Sequence, residues 1–184
     1  MQMNVLEAIQ GRRATRSYLL KQVSEKSVHQ LLDAAVQAPS ARNLQPWSFV
    51  VIQDKTLLKA ISEQAKNMLM RDSHWNRELP LADPEFDIFY GAGTLIVVCA
   101  KEEGFSPVGD CYMAGQNLML AAHGLGLATC PIGLARDVLR SPEMQERLGV
   151  PAGEEPVLPI IVGYPAAATP RVARAAPRIN AWLR

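Results

Sequence analysis

The sequence predicts an α+β layered domain, with helices packed on a sheet. Three observations carry this. Four short runs rich in β-branched and aromatic residues, near 48–52, 94–100, 128–132 and 157–164, read as strands. Helical patterns are interspersed among them, but the connections are too irregular for strict βαβ repeats. Hydrophobic residues make up 48% of the 184 and charged residues 20%, enough apolar material for a core without disulfides or a structural metal. No repeat, low-complexity block or linker divides the chain, so residues 1–184 are expected to form one domain.

Asn4, with Glu7 three residues later, is a capping-box-like start for a short helix that stops at Gly11. A basic stretch from Arg12 to Tyr18 follows. Ser24 caps a second helix whose Val28, Leu31, Leu32, Ala35 and Val36 share one face, and Pro39 bars its continuation. A polar loop, Ser40 to Trp47, feeds the first strand. A helix begins after Asp54 and carries Leu57, Leu58, Ile61, Ala65 and Met68. The stretch from Arg71 to Pro84 is polar and reads as loop. After the second strand, a helix from about Asp110 to His123 is apolar on nearly every face and is expected to be buried all round, centrally or at a subunit interface. The third strand follows it. Ser141-Pro142 opens a last short helix, which Gly149 closes. The tail, residues 165–184, has too little apolar content for a core of its own.

The net charge of +1 gives no electrostatic case for nucleic acid or an anionic membrane surface. Cys99, Cys111 and Cys130 are odd in number and sit in apolar runs, which suits buried thiols in a reducing compartment. No signal peptide is visible at the N-terminus, and a cytoplasmic location is expected. The three histidines lie far apart and no His-Glu-x-x-His occurs, so no metal site is assigned. Gly124-Leu125-Gly126 follows a helix and precedes a strand, the reverse of a dinucleotide fingerprint. No P-loop and no Gly-x-Ser-x-Gly elbow is present. With no evident nucleophile or acid–base pair, any chemistry belongs to a bound cofactor, and no catalytic side chain is named. Arg12, Arg13 and Arg16, and further along Arg171, Arg174 and Arg178, offer guanidinium forks suited to phosphate.

Taken together, Arg12-Arg13-x-x-Arg16 and Ala38-Pro39-Ser40-Ala41-x-Asn43-x-Gln45-Pro46-Trp47 resemble the signature of the nitroreductase family. Phe89-Tyr90-Gly91-Ala92 and the run from Gln116 through Gly126-Leu127 to Pro131-Ile132-Gly133 are similar to its compact members. The order and spacing agree over nearly the whole chain. The resemblance implies a three-layer α/β/α domain with a mostly antiparallel central sheet. It implies a homodimer whose C-terminal tails are exchanged between partners, with two FMN sites at the interface.

Position by position, it places Arg12, Arg13 and Arg16 at the ribityl and phosphate part of FMN. Ser40, Ala41, Asn43 and Gln45 are to approach from the partner chain. Pro131, Ile132 and Gly133 are to lie along the isoalloxazine, with a backbone N–H near the flavin N5. Asn67 is to touch the pyrimidine end, and Arg171 or Arg174 is to close on the phosphate. The implied activity is transfer of electrons from NADPH or NADH, through FMN, to an electron-poor small molecule such as a nitro compound or quinone. A flavin carrier or redox sensor without turnover is the alternative. Two departures stand out. Ala14 replaces a serine common in the family, and Gly133 replaces a glutamate that some members carry, so the N5 donor must be backbone. The chain between Trp47 and the second strand is short, so the pocket is open or covered by the segment around His74 and Trp75.

Overall fold

The fold described below comes from a computed structural model that describes residues 3–71 and 79–184. The expectations placed on His74 and Trp75 lie outside the described residues. Among the described residues, α-helices and β-strands alternate irregularly: α1 (Val5–Gly11), α2 (Glu25–Ala35), β1 (Trp47–Ile52), α3 (Lys55–Leu69), β2 (Thr94–Lys101), α4 (Pro107–Gly124), β3 (Ala128–Pro131), α5 (Arg136–Leu139), α6 (Pro142–Leu148) and β4 (Glu154–Gly163). The sheet order is β1-β2-β4-β3, and every neighbouring pair is antiparallel.

Local chemistry sets the boundaries. Asn4 and Glu7 close a reciprocal capping box at α1 (Glu7 N to Asn4 Oδ1 3.0 Å, Asn4 N to Glu7 Oε2 2.8 Å). The Ser24 and Asp54 side chains accept the N–H of Ser27 and Leu57 to start α2 and α3. Pro142 occupies the first turn of α6, and Gly149 ends it at φ 66°.

The two central strands are buried on both faces, so each reads as a continuous apolar run. In β2, Ile96, Val98 and Ala100 face one layer while Leu95, Val97 and Cys99 face the other. The first layer is α2 and α4, packed through Val28, Leu31, Ala114, Leu118 and Ala122. The second is α3, α5 and α6, packed through Leu58, Ile61, Val138, Leu139 and Met144. The chain is therefore a three-layer α+β domain. The register between β2 and β4 slips between Val98 and Cys99, which pair with Leu158 and Pro156. Val157 is left unpaired there, and it joins Leu158 on the α4 face. Gly115 lets α4 approach β4 closely. A Cβ at that position would overlap the Leu158 side chain and lie 3.3 Å from Ile160 Cδ1.

The all-round burial expected of helix α4, centrally or at a subunit interface, is met within one chain on one stripe only. Cys111, Ala114, Leu118 and Ala122 are covered by the sheet and α2, but Tyr112 is 44% and Met113 41% exposed. One helix packed on one sheet face covers only one stripe. Helix α1 also leaves Val5, Leu6 and Ile9 more than half exposed. Residues 165–184 form no helix or strand and are exposed throughout. Among the described residues no helix is long and apolar enough to cross a membrane.

Candidate functional site

The free edge of β3 organises the site. The basic segment after α1 runs along it, with Ala14 bridged in parallel to Thr129 and the Thr15 N–H donating to the Thr129 carbonyl at 3.1 Å. Tyr18 anchors the segment. Its buried hydroxyl donates to the Thr15 carbonyl at 2.8 Å, and burial pushes its pKa well above the ordinary phenol value. The start of the tail continues this pairing, with Tyr18 bridged to Pro165 and the Ala166 N–H donating to the Ser17 carbonyl at 3.0 Å.

The segment distributes its arginines over two sides of the strand edge, Arg12 and Arg13 on one and Arg16 on the other. Arg12 and Arg16 lie near enough to Cys130 to draw its thiol pKa down, against the larger upward push of burial. Arg12 shares its cleft with Arg13 and Thr15. The Thr15 hydroxyl meets that of Thr169 at 2.9 Å. Burial, followed by Arg12 and Arg13, lowers the pKa of His123 at the end of α4.

Two clefts result. The larger, about 590 Å³, is lined by Arg16, Tyr90, Cys130, Pro131–Leu134, Arg136 and Asp137, with Leu69 and Leu79 at its apolar side. That volume suits a drug-sized flat ligand. The second, about 380 Å³, lies across the strand and is lined by Arg12, Arg13, Thr15, His123, Thr129 and tail residues 165–169, with no acidic side chain. Thr129 is 1% exposed, yet its hydroxyl is unsatisfied, as is the buried Arg13 Nε.

The charge balance is one-sided. Among the described residues the ion pairs are His29–Glu25, Lys66–Glu63 and Arg140–Glu155, and none involves Arg12, Arg13, Arg16 or Arg174. Arg12 has its pKa lowered by burial first, then by Arg13 and Arg174. Packed cations and orphaned donors favour an anion, because each buried unpaired donor costs about 1–3 kcal/mol until it finds an acceptor.

The wall of the larger cleft is largely backbone. Ile132 donates its N–H to Pro159 O at 2.9 Å and buries its side chain. Gly133 opens a short 3-10 turn to Ala135. The N–H groups of Gly133 and Leu134 begin that turn, where no carbonyl of the turn can take them. Opposite stands Tyr90, held at φ 53°. Asp87 carboxylate oxygens accept the N–H groups of Phe89 and Gly91 on either side of it, each at 3.0 Å. The Arg16 guanidinium sits 5.9 Å from the Tyr90 ring centroid.

The Ser40 to Gln45 loop is elsewhere. The Ser40 hydroxyl accepts the Gln45 N–H at 2.9 Å, the Gln45 side-chain amide donates to Asn43 Oδ1 at 3.2 Å, and the Ala41 N–H donates to Asp110 Oδ2 at 3.2 Å. Arg42, Asn43 and Gln45 all have left-handed backbone, φ 52°, 56° and 49°. Asp110 and His123 are thirteen residues apart on α4, so this loop lies about 20 Å along the helix from the arginine clefts at 1.5 Å rise per residue.

Arg16, Pro131, Ile132 and Gly133 thus line one cleft together, and Arg12 and Arg13 line the adjoining one. Ser40, Ala41, Asn43 and Gln45 are not brought to them within one chain. Asn67 is exposed on α3 and does not line the larger cleft. Of the tail arginines, Arg174 is the one whose charge reaches Arg12. Sequence reasoning did not single out Tyr90, His123, Thr129 or Arg136 as site residues. Arg136 carried a usable signal, standing three residues beyond Gly133.

A three-layer α+β fold with an arginine-edged cleft over exposed backbone donors defines a binder of a flat, anionic ligand. The sequence profile of the nitroreductase family matches residues 9–164, and the chain belongs to that family. A "Putative NADH dehydrogenase/NAD(P)H nitroreductase" from Methanothermobacter thermautotrophicus is 33% identical over 169 residues, covering 89% of this chain and 78% of its own length. A nitroreductase from Bacteroides fragilis with bound FMN superposes at TM-score 0.84 with 26% identity over 98% of each chain. An FMN-dependent nitroreductase from Clostridium difficile does so at 0.84 with 27% identity, over 99% of this chain and all of its own.

Proposed function

We propose that this protein is an FMN-dependent oxidoreductase that moves electrons from NADPH or NADH to an electron-poor acceptor such as a nitro compound or quinone. The observation that carries the reading is the row of unpaired arginines leading into the cleft above Pro131–Gly133. The FMN held by the Bacteroides fragilis neighbour and the NAD(P)H activity in the name of the archaeal relative support it.

In this reading Arg12, Arg16 and Arg174 hold the phosphate and ribityl part, and Arg13 with Thr129 backs them across the strand. The Gly133 and Leu134 N–H groups and Pro131 would hold one side of the ring system, with Tyr90 as a further wall of the same cleft. When bound, the flavin would supply the hydride-transfer chemistry of both half-reactions. The chain positions the ring and surrounds its negative charge with fixed guanidinium and amide dipoles, which stabilise a reduced, anionic ring without a protein acid or base.

The working unit is a homodimer. The exposed apolar residues of α1 and α4, namely Val5, Leu6, Ile9, Tyr112 and Met113, form its natural seam. The tail, which pairs with residues 15–18 of its own chain through Pro165, Ala166 and Thr169 and is exposed throughout, extends over the partner. The Ser40 to Gln45 loop, remote from its own arginines, completes the partner's site with Ser40, Ala41, Asn43 and Gln45. Asn67, exposed on α3, is assigned in this reading to the flavin's pyrimidine end.

The test is a visible spectrum of the purified protein before and after anaerobic NADPH, followed by turnover with an added quinone. Flavin bands that bleach, then recover with acceptor, are the expected result. Bands that persist with both NADPH and NADH would instead make it a flavin carrier, and failure to take up FMN at all would remove the reading.

A further inference from the structure

The larger cleft holds one cation that the cofactor reading does not use. Arg136 lies in the first turn of α5, three residues past Gly133, and lines the same cavity. It is half-buried, and its Nε is fully shielded with no hydrogen-bond partner. No ion pair within 4.0 Å joins it to a carboxylate among the described residues. Asp137, beside it in sequence and on the same rim, is exposed, so water screens its charge. Arg16, the other arginine in this cleft, is engaged over Tyr90 at 5.9 Å and leads toward Arg12. The remaining walls are the Tyr90 ring, the apolar Leu69 and Leu79, and Cys130 with the Pro131–Leu134 segment. A cleft with a tyrosine ring, two leucines and, among the described residues, one guanidinium without an ion pair or ring partner fits a planar molecule that carries an oxyanion.

We infer that Arg136 is a specificity-determining residue, which anchors the carboxylate or phosphate of the ligand seated over the flavin. The inference rests on the oxidoreductase reading for the position of that ligand. The oxyanion could belong to the acceptor or to the pyridine nucleotide, and both would meet the same fork. Removing the guanidinium takes away a charge-assisted pair, a loss of about tenfold or more in affinity for the anionic ligand.

Two measurements test this. The first is calorimetric titration of the FMN-loaded wild-type protein with benzoate and with benzyl alcohol, which share a ring and differ in charge. Benzoate is expected to bind at least tenfold more tightly, and the margin is expected to vanish in Arg136→Gln and return partly in Arg136→Lys. The second is the ratio of kcat/KM for 4-nitrobenzoate to that for 4-nitrobenzyl alcohol, with KM for NADPH and NADH, in wild type and Arg136→Gln. A fall in the ratio assigns the arginine to the acceptor. A rise in KM for the nucleotides, with the ratio intact, assigns it to the donor's phosphates. Equal binding of benzoate and benzyl alcohol by the wild type, with neither kinetic quantity moved by the substitution, would overturn the inference. Failure of the oxidoreductase reading is separately visible as absence of NAD(P)H oxidation with the neutral acceptor. The benzoate titration, run on the protein as purified with FMN added, reads the arginine even then.

Discussion

Arg12→Gln should leave a folded protein that no longer retains FMN. Arg12 is the most crowded cation of the group, desolvated and pressed by Arg13 and Arg174, so an anion there relieves repulsion as well as gaining hydrogen bonds. Losing charge-assisted bonds worth about 1.5–3 kcal/mol weakens binding roughly 10- to 100-fold. Fluorescence titration of the apoprotein with FMN measures this directly. The same crowding predicts that the substitution does not lower the melting temperature of the apoprotein, since it removes a charge held beside two like charges. A dissociation constant within twofold of wild type would take the arginine face out of the cofactor site.

Met113→Glu should give monomers. Met113 and Tyr112 lie on the stripe of α4 that the sheet leaves uncovered, and they stand with the apolar residues of α1 as the proposed seam. A carboxylate buried there without a partner costs several kcal/mol, comparable to the whole margin of many dimers. In the monomer the position is exposed, so far-UV circular dichroism should be unchanged. Sedimentation should report a single 20.2 kDa chain, and flavin binding should fall with it. A wild-type protein that is already monomeric at micromolar concentration, or a Met113→Glu dimer that keeps its flavin, would rule out this seam.

Much of this was legible in the residues, and the exceptions have physical causes. The capping box at Asn4, the caps at Ser24 and Asp54, and Pro142 with Gly149 mark helix ends through local hydrogen bonds, which sequence displays directly. All four strands stand where β-branched runs placed them, although β4 begins earlier, at Glu154, because its first residues pair with β2 rather than with a buried face. Helix α5 escaped notice because four residues carry no periodicity. The exposure of Tyr112 and Met113 could not be read either, since an apolar helix looks the same whether a sheet or another chain will cover it. For the site, the arginine cluster and the backbone at Pro131–Gly133 were visible as motifs. Their division between two clefts, Arg12 and Arg13 in one and Arg16 in the other, depends on how residues 12–16 lie along β3, a tertiary pairing that no local pattern encodes.

The distance between the Ser40 loop and the arginines bears on genetics as much as on chemistry. If each cofactor site draws one half from each chain, a chain damaged at Arg12 still offers a sound loop, and a chain damaged at Asn43 still offers sound arginines. Coexpressed, two such inactive proteins would assemble heterodimers with one site carrying both lesions and one carrying neither. Activity would reappear in the mixture, at up to half the sites of each mixed dimer. Two alleles of this gene would then complement one another, although neither encodes a working enzyme alone.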